Sequence, residues 1–382
     1  MKNINFYEAL WSEEGRQIMS KVLQNPEFIK PNFTFWQEHF KVDPQITPSN
    51  GKGVASFTSV MREMEVGGLM DMRAPLSETM PVDKKGIVSY SGSIPDFSAK
   101  GFVETAAERL YQEEIASQFN GSERLAVFAV NEANRMINEM NMTLSNLSAM
   151  LMSEGKIKYN YGVGIKDVTI IKADIPAENF TTAGEGLWNN PATRILSQMR
   201  GIEEKYRNLW GLDFAMQWNI PAKMFRDCFL KNEEVIEWVR YTNVINNTPL
   251  PESLILTEDM VKTAIAKFPE LSPIVIVEEK QNDYTRGVVH GWADGIAVLR
   301  PAGYAGFIRR STVLDEKVFK KYGNSVNSYY FTPAPNGLGV FMNSVTVNGN
   351  FKEWHSDLFM KAIPTLDEFL YHVIVDTTTV DE

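Results

Sequence analysis

SERLAVFAVNEANRMINEMNMTLSNLSAMLMSEG, Ser122 to Gly155, decides the fold, because no other segment is long and regular enough to form a rigid rod. Ala133, Ile137, Met140, Leu144, Leu147 and Leu151 recur at alternating steps of four and three, which puts them on one face of a helix. Ser122 suits the cap at the start, and Gly155 suits the left-handed residue past the end. A helix over 122–154 follows, roughly 50 Å long at a rise of about 1.5 Å per residue. Such a rod either lies along a sheet as a spine or pairs with a partner helix. Strand-like sequence comes at once, at Ile157–Tyr161 and Val168–Ile171, and favours the spine. Met136, Met140, Met150 and Met152 would suit an adaptable contact surface, with core packing as the plainer alternative.

The 382 residues can bury a sizeable core and hold two or three domains. The formal net charge is −10, and Lys and Arg are scattered, so no basic stripe marks a sequence-specific nucleic-acid surface. Acidity does not exclude DNA nearby, since a container that must hold nucleic acid without sticking to it avoids a basic wall. The single cysteine, Cys228, has no partner for a disulfide within the chain and sits beside Phe225 and Phe229, as a buried, inert thiol would. No apolar run reaches signal-peptide or membrane-spanning length, which predicts synthesis in a reducing cytoplasm. Sequons at Asn141 and Asn146 fall inside the predicted helix and read as chance.

Upstream of the rod, residues 1–61 do not read as a compact unit. A short amphipathic helix fits Tyr7–Leu23, after which Pro26, Pro31, Pro44 and Pro48 interrupt any period. Phe28, Phe33, Phe35, Trp36 and Phe40 are large apolar groups on an irregular segment, and they need support from this chain's own body or from a neighbour. Residues 62–100 are rich in Gly, Pro, Met and charge, with strand-like runs at Val60–Val66 and Ile87–Ser91. An excursion of that length without a core pattern argues for a projecting hairpin or functional loop. Gly101–Phe119 reads as helix. Downstream, Pro176–Asn190 reads as loop, and Asn190-Pro191 opens a helix to about Leu209 that Gly211 closes. Phe214–Asn219 and Ile274–Val277 read as strands, with helices at Ala222–Leu230, around Trp238 and at Glu258–Phe268. This alternation predicts a mixed α/β domain with a central sheet. Val298–Leu314 reads as a turn-rich path, and Leu338–Val347 and Trp354–Val375 as strands.

Chemistry-bearing motifs are missing. His39, His290, His355 and His372 are far apart, with no metal-ligand spacing among them or with Cys228. His372, in an apolar run, reads as a core or sheet residue. Gly162-Val163-Gly164 lacks the third glycine of a dinucleotide site and reads as a strand bend, and Gly51-Lys52-Gly53 lacks the hydroxyl of a phosphate loop. No nucleophile elbow occurs. Asp283 with Asp294, or Glu278 with Glu279, are pairings that 48 acidic residues produce by coincidence. No cofactor, no metal and no enzymatic activity are expected.

The order of the pieces, with several short phrases, resembles the major capsid protein of tailed bacteriophages, in its lambda-type branch, and so the Hong Kong 97 fold. Tyr90-Ser91-Gly92-Ser93-Ile94-Pro95 with Phe97–Lys100 resembles the return arm of that family's hairpin. Leu144–Leu151 followed by Gly155-Lys156-Ile157 looks like its spine and the turn into the first body strand. Met216–Lys223 resembles a strand-to-helix step of its axial domain, and Gly291–Ile308 with Phe359–Val375 is similar to its last two segments. The resemblance spans most of the chain from about residue 62.

It implies an α+β capsid fold: an extended N-terminal arm over 1–61, a projecting β-hairpin (the E-loop) over 62–100, and a peripheral domain over 101–175 with the spine helix at 122–154. An inserted axial domain over 176–325 and a return to peripheral β-structure over 326–382 complete it. It implies a shell subunit that assembles with itself, as pentamers and hexamers, into an icosahedral head around double-stranded DNA. Scaffolding, portal and decoration proteins are the partners the family suggests; no membrane is involved, and the product is a virion assembled in the host cytoplasm. Phe33, Phe35, Trp36, Phe40, Lys84 and Lys85 are the expected assembly contacts. Some members of the wider fold crosslink a hairpin lysine, but the lambda-type branch is not characterised by that chemistry and no crosslink is expected. Two rivals stand beside this reading: an encapsulin-like nanocompartment shell of the same fold, and a soluble α/β enzyme whose long hairpin is a lid.

Overall fold

The computed structural model describes residues 35–48, 54–62, 87–103, 121–159, 168–211, 214–245, 256–277, 280–283, 287–313, 329–333, 337–347 and 351–380. In chain order, a short helix α1 (Phe35–His39) leads into β1 (Phe40–Thr47), and β2 (Ala55–Arg62), β3 (Ile87–Ile94) and β4 (Asp96–Val103) follow. The long helix α2 (Gly121–Glu154) passes into β5 (Lys156–Tyr159) and β6 (Val168–Lys172), which pair antiparallel. Then come β7 (Phe180–Thr182), α3 (Ile195–Trp210), β8 (Met216–Pro221), α4 (Ala222–Cys228), α5 (Glu233–Ile245), α6 (Glu258–Ile265) and β9 (Ile274–Val277). The chain closes with β10 (Lys280–Asp283), β11 (Gly287–His290), β12 (Ile296–Pro301), β13 (Gly306–Ser311), β14 (Tyr329–Pro333), β15 (Gly339–Val347), β16 (Phe351–Leu366) and β17 (Val373–Asp376). The fold class is α+β.

The spine forms where its period places it. Ile137, Met140, Leu144, Leu147 and Leu151 are all buried, as are Met136 and Met152. Ser145, Ser148, Ala149 and Ser153 are buried too, so the buried face broadens toward the C-terminus, where small side chains let other segments come close. Gly155 ends the helix at φ 67°, the left-handed conformation its lack of a Cβ permits.

The contacts divide the chain into two units. The first comprises residues 1–57, 92–145 and 308–364. Its main sheet runs β1-β13-β16-β15-β14, with β4 also paired to β16. Pro44 lies within β1, which is tolerated because that strand is at the sheet's edge. Three consecutive residues of β13 hold β1: Arg309 meets the Asp43 carboxylate at 2.5 Å, Arg310 Nε donates to the Asp43 carbonyl at 3.1 Å, and Ser311 Oγ donates to the Thr47 carbonyl at 2.7 Å. Gly339 of β15 lets the helix close in, since a Cβ there would stand 3.2 Å from Met140 Sδ.

The second unit comprises residues 58–91, 146–307 and 365–382. Its sheet has the order β7-β17-β12-β8-β9, antiparallel through the middle and parallel at both edges. Trp218, Ile220, Leu299, Val373 and Val375 point into a core shared with α3, α5 and α6, where Trp188, Tyr206, Phe225 and Phe229 are fully buried. The last turns of α2 belong to this unit: His372 Nε2 is 2.7 Å from the Met152 carbonyl, and Ser153 Oγ accepts from Ala293 N at 3.0 Å.

Several local expectations are corrected. The helix expected from Gly101 is strand through Val103, because Gly101, Phe102 and Val103 pair with Ser356, His355 and Trp354; the remainder of that expectation lies outside the described residues. The helix expected to open at Pro191 begins at Ile195. Asn190 Oδ1 accepts from Ala192 N and folds the intervening residues into a turn, while Glu234 of α5 accepts from Leu196 N at 2.7 Å and from Ser197, capping α3 from a neighbouring helix. The turn-rich path at 298–314 contains strands β12 and β13, and the Pro176–Asn190 loop contains β7. The segment before residue 61 supplies β1 and β2 rather than only irregular chain. The helix expected at Tyr7–Leu23, the Gly67-Gly68 joint and the Gly162–Gly164 bend lie outside the described residues.

Candidate functional site

The buried ionisable groups are the first place to look for chemistry, and each is bound into the scaffold. Glu203 accepts from Trp218 Nε1 at 2.6 Å, Ser272 N at 2.9 Å and Ser272 Oγ at 2.7 Å, so one carboxylate ties α3 to β8 and to the entry of β9. Arg300 donates to Asn219 Oδ1 at 3.0 Å and to the Pro301 and Gly303 carbonyls, each at 2.9 Å. Burial lowers its pKa to about 10, which leaves it charged at neutral pH, and Glu368 favours that charge. Burial also pulls His372 down to about 4, against the opposing pull of the Met152 carbonyl, so the imidazole is neutral. Lys361 is buried and reaches Asp96 Oδ2 at 2.9 Å. Among the described residues no group of three or more His, Cys, Asp or Glu side chains is placed to hold a metal ion, and no helix is long and apolar enough to cross a membrane.

A cleft of about 330 Å³ opens between α4 and the turn before β12, floored by Met224, Trp292 and Cys228 and rimmed by Lys223, Asp227 and Asp294. Burial raises the Cys228 thiol to about 11, with Asp227 adding to the effect, so it stays protonated and is a poor nucleophile at neutral pH.

Strands β2 and β3 pair with each other as a two-stranded ribbon. Its side chains alternate as a half-buried ribbon requires: Ala55, Phe57, Ser59, Tyr90 and Ile94 are buried, while Ser56, Thr58, Val60, Ser89, Ser91 and Ser93 are exposed. Tyr90 OH donates to the Leu366 carbonyl at 2.9 Å, Ser59 Oγ donates to the same carbonyl at 3.3 Å, and the Tyr90 ring meets Phe369 edge-on at 5.1 Å. One strand leaves at Arg62 and the other enters at Ile87.

Phe35, Trp36 and Phe40 are buried within the chain. Phe35 packs on the His39 ring at 4.6 Å, and Trp36 Nε1 donates to Asn141 Oδ1 at 3.1 Å. Of the two supports the sequence left open, these three use the chain's own body. Phe33, Lys84 and Lys85 lie outside the described residues. Sequence reasoning missed Asn141, whose signal was a polar residue on the apolar side of the spine next to Met140. It also missed the Arg309–Ser311 clamp and the Ser59 and Tyr90 anchors, whose partners are backbone carbonyls or residues far along the chain.

No protein-family model and no curated protein sequence matches the chain. Among solved structures, a phage-related protein from Bordetella bronchiseptica RB50 is similar over 95% of this chain and 96% of its own, with a TM-score of 0.49 and 15% identity. The capsid of Myoviridae phage XM1 is similar over 91% of this chain and 93% of its own, at a TM-score of 0.44 and 12% identity. The cyanophage A-1(L) capsid is similar over 90% and 92%, at 0.45 and 11%.

Proposed function

We propose that the chain is a major capsid protein, a structural subunit whose copies close into the icosahedral head of a tailed bacteriophage around double-stranded DNA. The observation that carries the reading is the β2–β3 ribbon. It is bonded to its own chain through Ser59 and Tyr90, its outer face is polar apart from Val60, and its strands run into residues 63–86, within the 62–100 stretch that the sequence marks as a projecting hairpin. A rigid base under a long excursion suits an element that finds its remaining support on another subunit, which makes part of the folding energy assembly energy. The long helix α2 and the helix-covered mixed sheet of the second unit fit the spine and the inserted domain of that layout. On this reading residues 176–325 form the axial domain, and Phe33, Lys84 and Lys85 meet neighbouring subunits. A net charge of −10 suits a wall that encloses DNA without gripping it.

The test is sedimentation of material from cells expressing the chain with its neighbouring genes, followed by nuclease treatment. Fast-sedimenting particles that protect double-stranded DNA are expected. Particles holding a protein cargo and no DNA would move the reading to a nanocompartment shell, and a monomer alone would overturn it.

A further inference from the structure

Helix α3 carries a glycine that nothing among the described residues explains. Gly201 lies mid-helix and exposed, and a Cβ built on it meets no atom of the described residues within 4 Å. A glycine inside a helix weakens it relative to alanine, and a common compensation is the close approach of another backbone. Other glycines of the same unit show that approach: a Cβ on Gly291 would stand 2.7 Å from the Asn146 carbonyl oxygen, and one on Gly306 1.8 Å from that of Thr365. At Gly201 none of the described residues makes that approach.

The surroundings of Gly201 describe what would cover it. Leu209, about two turns further along the helix, is 56% exposed. Arg200 and Lys205 flank the glycine on the exposed side, with Glu204 as the opposing charge. The exposed surface around Gly201 is part apolar and net basic. Elsewhere on the unit, α5 presents a groove of about 500 Å³ with the opposite character. Tyr241, 56% exposed, packs on Trp238 at 5.3 Å, and Trp238 packs on Phe268 at 5.0 Å. Glu233 and Glu237 are exposed along the groove, with Arg194 as the cation among its lining residues. Glu234 is engaged at the α3 N-terminus.

We propose that these are the two halves of one contact between copies of this chain: the Gly201 face of α3 on one copy seats in the α5 groove of the next. Gly201 lets the backbones approach, Leu209 covers aromatic surface, and Arg200 and Lys205 lie over the Tyr241–Trp238 rings between Glu233 and Glu237. The halves share no residue, so the contact is head-to-tail and propagates into a ring or an open array. The inference rests on the self-assembly reading and assigns it a surface.

Two sets of variants test it, read by sedimentation velocity and by thermal melting. Gly201→Ala and Gly201→Gln put better helix formers on an exposed helix, so both should melt no lower than wild type, and Gly201→Gln should lose assembly at least tenfold in concentration dependence. Arg200→Glu with Lys205→Glu should abolish assembly, as should Glu233→Lys with Glu237→Lys, and the chain carrying all four changes should regain it. If wild type assembles and the Gly201 and charge variants assemble equally well, the contact is wrong and the shell reading stands. If wild type remains a monomer under every condition, both fall.

Discussion

Trp36 and Asn141 meet in the interior of the first unit, the indole Nε1 donating to the amide oxygen at 3.1 Å with both residues almost fully buried. The bond fastens the short helix before β1 to the side of the spine. Asn141→Leu keeps the branched heavy-atom shape but leaves the indole N–H without this acceptor, which should cost about 1–3 kcal/mol. Urea unfolding of the variant would show it as a lower midpoint at unchanged slope. An unchanged midpoint would mean that the bond contributes nothing.

Glu203 joins α3 to β8 and to the entry of β9 through three accepted hydrogen bonds. Glu203→Ala strips an acceptor from Trp218 Nε1 and from both Ser272 donors at once and should destabilise by about 3 kcal/mol. Glu203→Gln, which keeps one oxygen, should cost less. A Glu203→Ala variant as stable as wild type would show that the site tolerates loss of every acceptor.

His372 gives the fold an acid limit. Its imidazole stays neutral in the folded chain down to about pH 4, whereas the unfolded group titrates at 6.5. Between those values the unfolded chain binds more protons, so the stability is complete above about pH 6.5 and is lost as pH falls toward 4, by up to about 3 kcal/mol. Unfolding free energies at pH 7 and pH 5 should differ for wild type and differ less for His372→Gln. A wild-type chain with no such slope would contradict the assignment.

The close packing of Gly306 predicts a sharp intolerance. A methyl group there would stand 1.8 Å from the Thr365 carbonyl oxygen, which is backbone and cannot swing away. Gly306→Ala should therefore destabilise by about 3 kcal/mol or more, visible as reduced soluble yield and a lowered melting temperature. A variant with wild-type melting would show that the two segments separate freely.

What the sequence disclosed and what it hid follow from the range of each interaction. The spine was legible because its signal is local: apolar residues at steps of four and three, with Gly155 at the end. The burial of Ser145 and Ser148 was not, because hydroxyls on a helix say nothing of what comes to lie against them. Strand pairing was hidden for the same reason. Asp43 meets Arg309, and Phe97 pairs with Met360, across more than 250 residues. The start of α3 was misplaced because its cap, Glu234, belongs to another helix. In the candidate site, the ribbon's strand from Ile87 could be read from its local run of residues. The ribbon's anchors could not, since a serine and a tyrosine give no sign that they converge on the Leu366 carbonyl.

The most direct test of the account is electron microscopy of the purified chain, expressed alone and with its neighbouring genes. The account predicts uniform closed shells, or rings of subunits, in at least one of the two preparations. A monodisperse monomer in both would contradict it and return the β2–β3 ribbon to the role of a loop serving a single chain.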